Sequence, residues 1–205
     1  MSSPGPQPSV QPDGFAFTRD NRERAQAYIA KYPPGRQASA VLALLDLAQR
    51  QAGGWLPRAA MDHVGELLDM APIRVYEVAT FYTMFNLQPV GKFHVQICRT
   101  TPCWLRGSEE LSRTCRRKLG IGMRQRCADG LFSLVEVECL GACVNAPVVQ
   151  INDDFYEDLD PRRLEAVLDA LARGERPAAG SQTGRQGSAP AGGPTTLVAG
   201  GGAGE

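Results

Sequence analysis

Apolar side chains recur at helical spacing through the first ninety or so residues and then switch to alternation, so the pattern divides the chain near Gly91. Before that point it predicts four helices. Residues 19–32 form the first, closed by Pro33, Pro34 and Gly35, and residues 38–52 the second, with Val41, Leu42, Leu44, Leu45 and Ala48 as a broad apolar stripe before Gly53 and Gly54. Pro57 can open a third helix, carrying Met61, Val64, Leu67 and Leu68, and Pro72 a fourth, carrying Ile73, Tyr76, Val78 and Phe81. From Gly91 onward, Phe93, Val95 and Ile97 alternate with Lys92, His94 and Gln96 as in a half-buried strand. A helix over 105–119, strands over 131–137, 147–151 and 155–156, and a closing helix over 161–173 complete the pattern. The expected class is α/β (α+β), a helical bundle over 15–90 followed by a compact mixed domain over 91–176.

Both ends depart from this pattern. Residues 1–14 are rich in Ser, Pro and Gln, and residues 177–205 are mostly Gly, Ala, Ser, Pro and Thr. Such segments bury too little apolar surface to offset their own ordering entropy, so both are expected to be disordered, an arm and a tail. The first fourteen residues hold no Lys or Arg and no apolar core, which predicts neither a secretory signal nor a transit peptide. The longest apolar candidate, Val41 to Ala48, is interrupted by Asp46 and is far too short to cross a bilayer.

Charge narrows the partners. Twenty-two basic residues balance twenty-two acidic ones, so no long-range field points to nucleic acid or to an anionic membrane. A basic run (Arg113, Arg116, Arg117, Lys118, Arg124, Arg126) and an acidic run (Asp153, Asp154, Glu157, Asp158, Asp160) are expected to be solvated faces first and docking faces second.

Six cysteines without a secretory signal argue for metal or redox chemistry rather than a disulfide framework. Cys98 and Cys103 follow one predicted strand, and Cys139 and Cys143 follow another. Four soft thiolates in two such loops can share the two irons of a [2Fe-2S] cluster, provided the fold brings the loops together. The same spacing also suits a structural four-cysteine zinc site, and on spacing alone both remain open. No pair has the two intervening residues of a dithiol oxidoreductase, and His63 and His94 lie outside the loops, which disfavours a Rieske centre. Cys115 and Cys127 have no close partner and are expected to be packing or surface thiols. A glycine-rich nucleotide loop is lacking: Gly120 and Gly122 supply G-x-G, but Gln125 occupies the third position, and no Walker A motif occurs.

The motif residues carry a resemblance. Cys98-Arg99-Thr100-Thr101-Pro102-Cys103-Trp104-Leu105-Arg106-Gly107, Glu138-Cys139-Leu140-Gly141-Ala142-Cys143 and Asn145-Ala146-Pro147-Val148-Val149 resemble the family of the E subunit of respiratory complex I, NADH:quinone oxidoreductase. Ala79-Thr80-Phe81-Tyr82-Thr83-Met84-Phe85 resembles the same family, and the likeness runs from about Phe15 to Arg176. The resemblance implies a thioredoxin-like [2Fe-2S] ferredoxin domain after the helical bundle, with Cys98, Cys103, Cys139 and Cys143 as ligands, and it favours the cluster over zinc. It implies an electron-transfer subunit with no complete active site of its own. Its cluster would accept an electron from FMN on a partner flavoprotein that also binds NADH, among the other peripheral-arm subunits. The place so implied is peripheral, on the cytoplasmic side of the bacterial inner membrane or the matrix side of the mitochondrial one.

A one-electron cluster cannot accept a hydride directly, so a chain without a dinucleotide pocket depends on such a partner. The same module in an NAD-linked hydrogenase or formate dehydrogenase is the first alternative, and a zinc-stabilised interaction module the second. Arg99 and Arg106, beside the first cysteine pair, are candidates for raising the cluster's potential or for holding loop geometry. The Ala79 to Phe85 segment is read as core with some residues at a partner interface.

Overall fold

The computed structural model describes residues 11–188, and the chain divides between Lys92 and Phe93 into two compact units. Residues 1–10 of the expected arm and 189–205 of the expected tail lie outside the described residues.

The first unit is helical. Helix α1 (Arg19–Ile29) starts at Thr18, whose hydroxyl accepts from the Asn21 N–H, and it ends before Pro33, as the steric demand of that proline on its predecessor requires. A 3-10 turn (Gln37–Ala40) leads into α2 (Val41–Gln51); α3 (Arg58–Leu68) and α4 (Pro72–Phe81) follow. Leu44, Leu45 and Ala48 of α2 meet Ala60 and Val64 of α3 and Val75 of α4 in a core that excludes water almost completely. Two glutamines at the end of α2 tie the connecting segments to this core. Gln49 accepts from the Asn86 N–H and donates to the Met84 carbonyl, while Gln51 accepts from the Thr18 N–H and donates to the Ala16 carbonyl. Within the Ala79 to Phe85 segment, Ala79 and Phe85 are buried, whereas Phe81, Tyr82 and Met84 are exposed.

The second unit is a six-stranded mixed sheet with helices packed on it. Its elements are β1 (Phe93–Cys98), α5 (Thr101–Leu105), α6 (Ser108–Leu119), β2 (Gln125–Arg126), β3 (Phe132–Val137), β4 (Val149–Ile151), β5 (Asp154–Glu157), α7 (Pro161–Ala172) and β6 (Gly180–Ser181). The strand order is β2-β3-β1-β4-β5-β6. Strands β1 and β3 are parallel, from Phe93 opposite Phe132 to Cys98 opposite Val137, so the chain must cross over between them, and α5 and α6 make that crossing. Val95, Ile97 and Leu134 from the sheet pack against Leu111 and Cys115 of α6 and against Leu164, Val167 and Leu168 of α7.

Three sequence expectations are corrected here. The helix expected over 105–119 starts later, as α6, because Gly107 adopts φ 96°, a left-handed conformation, and a separate short helix absent from the expected pattern, α5, precedes it. The segment from residue 177, expected to be a flexible tail, forms β6 in parallel pairing with β5 and bonds onward through Ser188. Its few apolar side chains give no signal because polar contacts hold it. The acidic run is a solvated face only in part: Asp153 and Asp154 are exposed, but Glu157 is buried, Asp158 pairs with Arg185, and Asp160 caps α7 through the Arg163 N–H. The basic run is partly used within the unit, where Arg117 pairs with Glu165 and Lys118 with Asp169, joining α6 to α7.

Two outcomes follow for stability. Leu134→Ala removes a fully buried side chain at the centre of the sheet and is expected to cost about 2–5 kcal/mol in urea unfolding. His94 lies on β1 with Nδ1 2.7 Å from the Ser133 hydroxyl of β3, and burial lowers its pKa from 6.5 to about 4. The unfolded chain therefore binds a proton that the folded one does not between those values. Stability should rise with pH across that window by roughly 2–3 kcal/mol and be complete above it. Urea titrations at several pH values should show this slope, and His94→Gln should flatten it.

Candidate metal centre

The parallel pairing of β1 with β3 brings two loops to one end of the sheet. Cys98 is the last residue of β1, and its N–H donates to the Val148 carbonyl, while the N–H of Arg99 donates to the Val137 carbonyl at the end of β3. Cys103 follows on α5. Cys139 lies two residues beyond β3, and Cys143 opens a 3-10 turn (Cys143–Asn145) after Gly141. Gly141 has φ 83°, which turns the chain between the two thiols.

The two pairs differ in setting. Cys98 and Cys103 are both 1% exposed and pack with Ala142, Ala146 and Val148, whereas Cys139 and Cys143 are exposed, with their sulfurs 3.5 Å apart. Burial acts to raise the Cys98 thiol, but hydrogen bonds from the Thr100 hydroxyl and from the N–H groups of Leu140 and Thr100 outweigh it and hold the thiol below its ordinary value. Burial pushes Cys103 up to about 12, and the neighbouring Cys98 adds to the effect. The Gly141 N–H, 3.3 Å from the sulfur, lowers Cys139, and the Cys139 sulfur beside it raises Cys143. The charges of Cys98 and Cys143 act on Cys103, and that of Cys98 acts on Cys139, so the two loops share one electrostatic neighbourhood.

The donor set suits a two-iron cluster. Four thiols would supply two ligands per iron, and N–H and O–H groups already near the sulfurs are what a cluster's negative charge requires. Among the described residues, no group of three or more His, Cys, Asp or Glu is gathered as the shell of a single metal ion.

Other cysteines and charges fall outside. Cys115 is buried in the core between α6 and the sheet, and burial raises it to about 12; Cys127 donates to the Leu119 carbonyl at 3.6 Å. Arg99 turns toward Glu136, with its Nη1 3.9 Å from a carboxylate oxygen, and Arg106 lines a cleft of about 890 Å³ that also contains Cys143, Asp158 and Arg185. Trp104, Leu105 and Val144 stand exposed around the cysteines. Sequence reasoning missed Thr100, whose hydroxyl lies 3.3 Å from the Cys98 sulfur and also acts to lower the Cys139 thiol. Its signal is its place inside the first cysteine motif, next to Arg99. No helix among the described residues is long and apolar enough to cross a membrane.

Comparison with known proteins adds the family. The profile of the thioredoxin-like [2Fe-2S] ferredoxin family matches residues 25–172. The chain is 60% identical over 157 residues to the E subunit of NADH-quinone oxidoreductase from Rickettsia bellii (strain RML369-C), covering 77% of this chain and 94% of that protein. It is 57% identical over 157 residues to the same subunit from Rickettsia conorii (strain ATCC VR-613 / Malish 7), with the same coverage. Among solved structures, the NAD+-reducing [NiFe]-hydrogenase in its air-oxidized state is similar in fold, with a TM-score of 0.56 and 22% identity over 63% of this chain and 23% of that one. A profile that spans both the helical unit and the cysteine-bearing sheet, with relatives at this identity, leaves one conclusion: the chain belongs to the thioredoxin-like [2Fe-2S] ferredoxin family.

Proposed function

We propose that this chain is the electron-transfer subunit of an NADH:quinone oxidoreductase, carrying a [2Fe-2S] cluster on Cys98, Cys103, Cys139 and Cys143. The observation that carries the reading is the convergence of both cysteine pairs at the shared end of β1 and β3. The 60% identity to an NADH-quinone oxidoreductase subunit supports the parent complex over the hydrogenase alternative, since 22% identity to the hydrogenase speaks only to fold.

When bound, such a cluster takes up and passes on single electrons. The chain's own residues shape the site in three ways. Cys98 and Cys103 are fixed by packing, so water is kept from that side. The Gly141 N–H and the Thr100 hydroxyl are placed to bond sulfur, which favours the more negative, reduced state. Cys139 and Cys143 lie at the surface, where a redox partner can approach. The exposed Trp104, Leu105 and Val144 around them, and Phe81 and Met84 in the helical unit, are large apolar groups of the kind that partner subunits cover. The partner proposed is the flavoprotein that binds FMN and NADH, together with other subunits of the peripheral arm. The proposed place is the cytoplasmic side of the bacterial inner membrane.

Visible absorption and low-temperature EPR of the anaerobically purified chain test the reading. A brown protein that gains a spin-half signal on dithionite reduction is expected, and a colourless protein holding zinc would overturn it. Serine at Cys98, Cys103, Cys139 or Cys143 should abolish or alter the signal, while serine at Cys115 or Cys127 should leave it intact. Thr100→Val should lower the midpoint potential by about 40 mV, the equivalent of one hydrogen bond of about 1 kcal/mol in a one-electron couple, as read by redox titration.

A further inference from the structure

The two cysteine pairs are secured by different means. The first is embedded in apolar packing. The second loop joins that packing through Ala142 and Ala146, but Cys143 itself is exposed and Val144, directly after it, is 73% exposed. The exposed face of this turn is held by the segment whose composition suggests a tail.

The Arg185 guanidinium donates to the Val144 carbonyl at 3.0 Å and to the Asn145 side-chain oxygen at 2.8 Å. The same group grips both oxygens of Asp158, at 2.7 and 3.2 Å. Asn145, itself buried, donates to Glu157 at 2.8 Å and to the Gln186 carbonyl at 2.8 Å. Glu157, 3% exposed, also accepts from the Ser188 N–H at 3.0 Å and from its hydroxyl at 2.6 Å. The backbone closes the circuit, since the Asp158 N–H donates to the Asn145 carbonyl at 2.8 Å, and Asp158 is held at φ 53°, an uncommon conformation for a residue with a side chain. Burial would raise the Asp158 carboxyl, but bonds from Arg185 and Ser181 outweigh it and keep it below the usual range.

We propose that residues 180–188 form a strap over the second cysteine loop and that Arg185 is a positioning residue for the cluster, fixing the backbone that carries Cys143. The proposal rests on the reading of Cys143 as a ligand. A planar guanidinium can span a carboxylate, an amide oxygen and a main-chain carbonyl at once, whereas a lysine ammonium presents one point charge and cannot hold that geometry. Because Asp158 directly offsets the charge of Arg185, the role is geometric rather than electrostatic. Groups that orient metal ligands in this way affect retention of the metal strongly when removed.

The test uses the full chain with its cluster. Arg185→Gln, Arg185→Lys and Ser188→Ala are compared with Arg173→Gln, which removes an exposed arginine paired with Glu175. The readouts are bleaching of visible absorption under an iron chelator, the EPR line shape after dithionite and thermal melting by circular dichroism. Both Arg185 variants should bleach about tenfold faster than wild type with an altered line shape, Ser188→Ala about threefold faster, and Arg173→Gln no faster. Full recovery in Arg185→Lys would mean that charge suffices and would overturn the proposal, as would wild-type bleaching in all three strap variants. If the Arg185 variants fail to fold, the Ser188→Ala result decides in the same way. Cys143→Ser separates the two readings: an unchanged signal in that variant removes Cys143 as a ligand, whereas a changed signal beside unaffected strap variants removes the strap alone.

Discussion

Everything at the site depends on the parallel pairing of β1 with β3. Parallel strands end at the same edge of a sheet, so the residues that follow them emerge side by side although they are some forty positions apart in sequence. The register from Phe93 opposite Phe132 to Cys98 opposite Val137 decides which residues those are. A slip of one residue would turn Val95 and Ile97 away from the core they share with α6 and α7 and turn Cys98 toward it. Burial of that apolar face, supported by the crossover through α5 and α6, therefore enforces the placement of the thiols.

The site is also asymmetric by construction. One pair of thiols is buried and held by dispersion and shape; the other is solvent-facing and held by directed polar bonds. A carrier of single electrons needs both qualities, since one side must be shielded and the other must lie close to whatever donates or receives the electron. The Thr100 hydroxyl, 3.3 Å from the Cys98 sulfur, also acts to lower the Cys139 thiol, and the Leu140 N–H acts to lower that of Cys98, so each loop tunes the other without a covalent link.

Much of this is legible in the sequence because it rests on periodicity and local punctuation. The stripe along α2, the alternation in β1 and the stops at Gly53 and Gly54 are short-range signals. The cysteine pairs are legible as lying near strand ends for the same reason, but not all lie in loops: Cys98 is the last residue of β1 and Cys103 sits on α5. The break at Gly107 is hidden by apolar residues that continue the helical spacing on both sides of it. Strands β2 and β6 are two residues each, without the apolar alternation that marks a strand. The acidic run reads as solvated because the partners of its inward carboxylates are distant: Arg185 lies 27 positions from Asp158, and Ser188 lies 31 from Glu157. Composition reports whether a segment can bury apolar area, not whether it can complete a polar network.

The strap closes on residues made much earlier in synthesis. Cys143 leaves the ribosome more than forty positions before Arg185 and Ser188 do, so the loop that bears it exists for a time without the groups that shape it. Strands β1 and β3, and with them the buried thiols, can form first. The order of translation therefore leaves the surface side of the site without its polar tether until β6 and the residues just after it are in place.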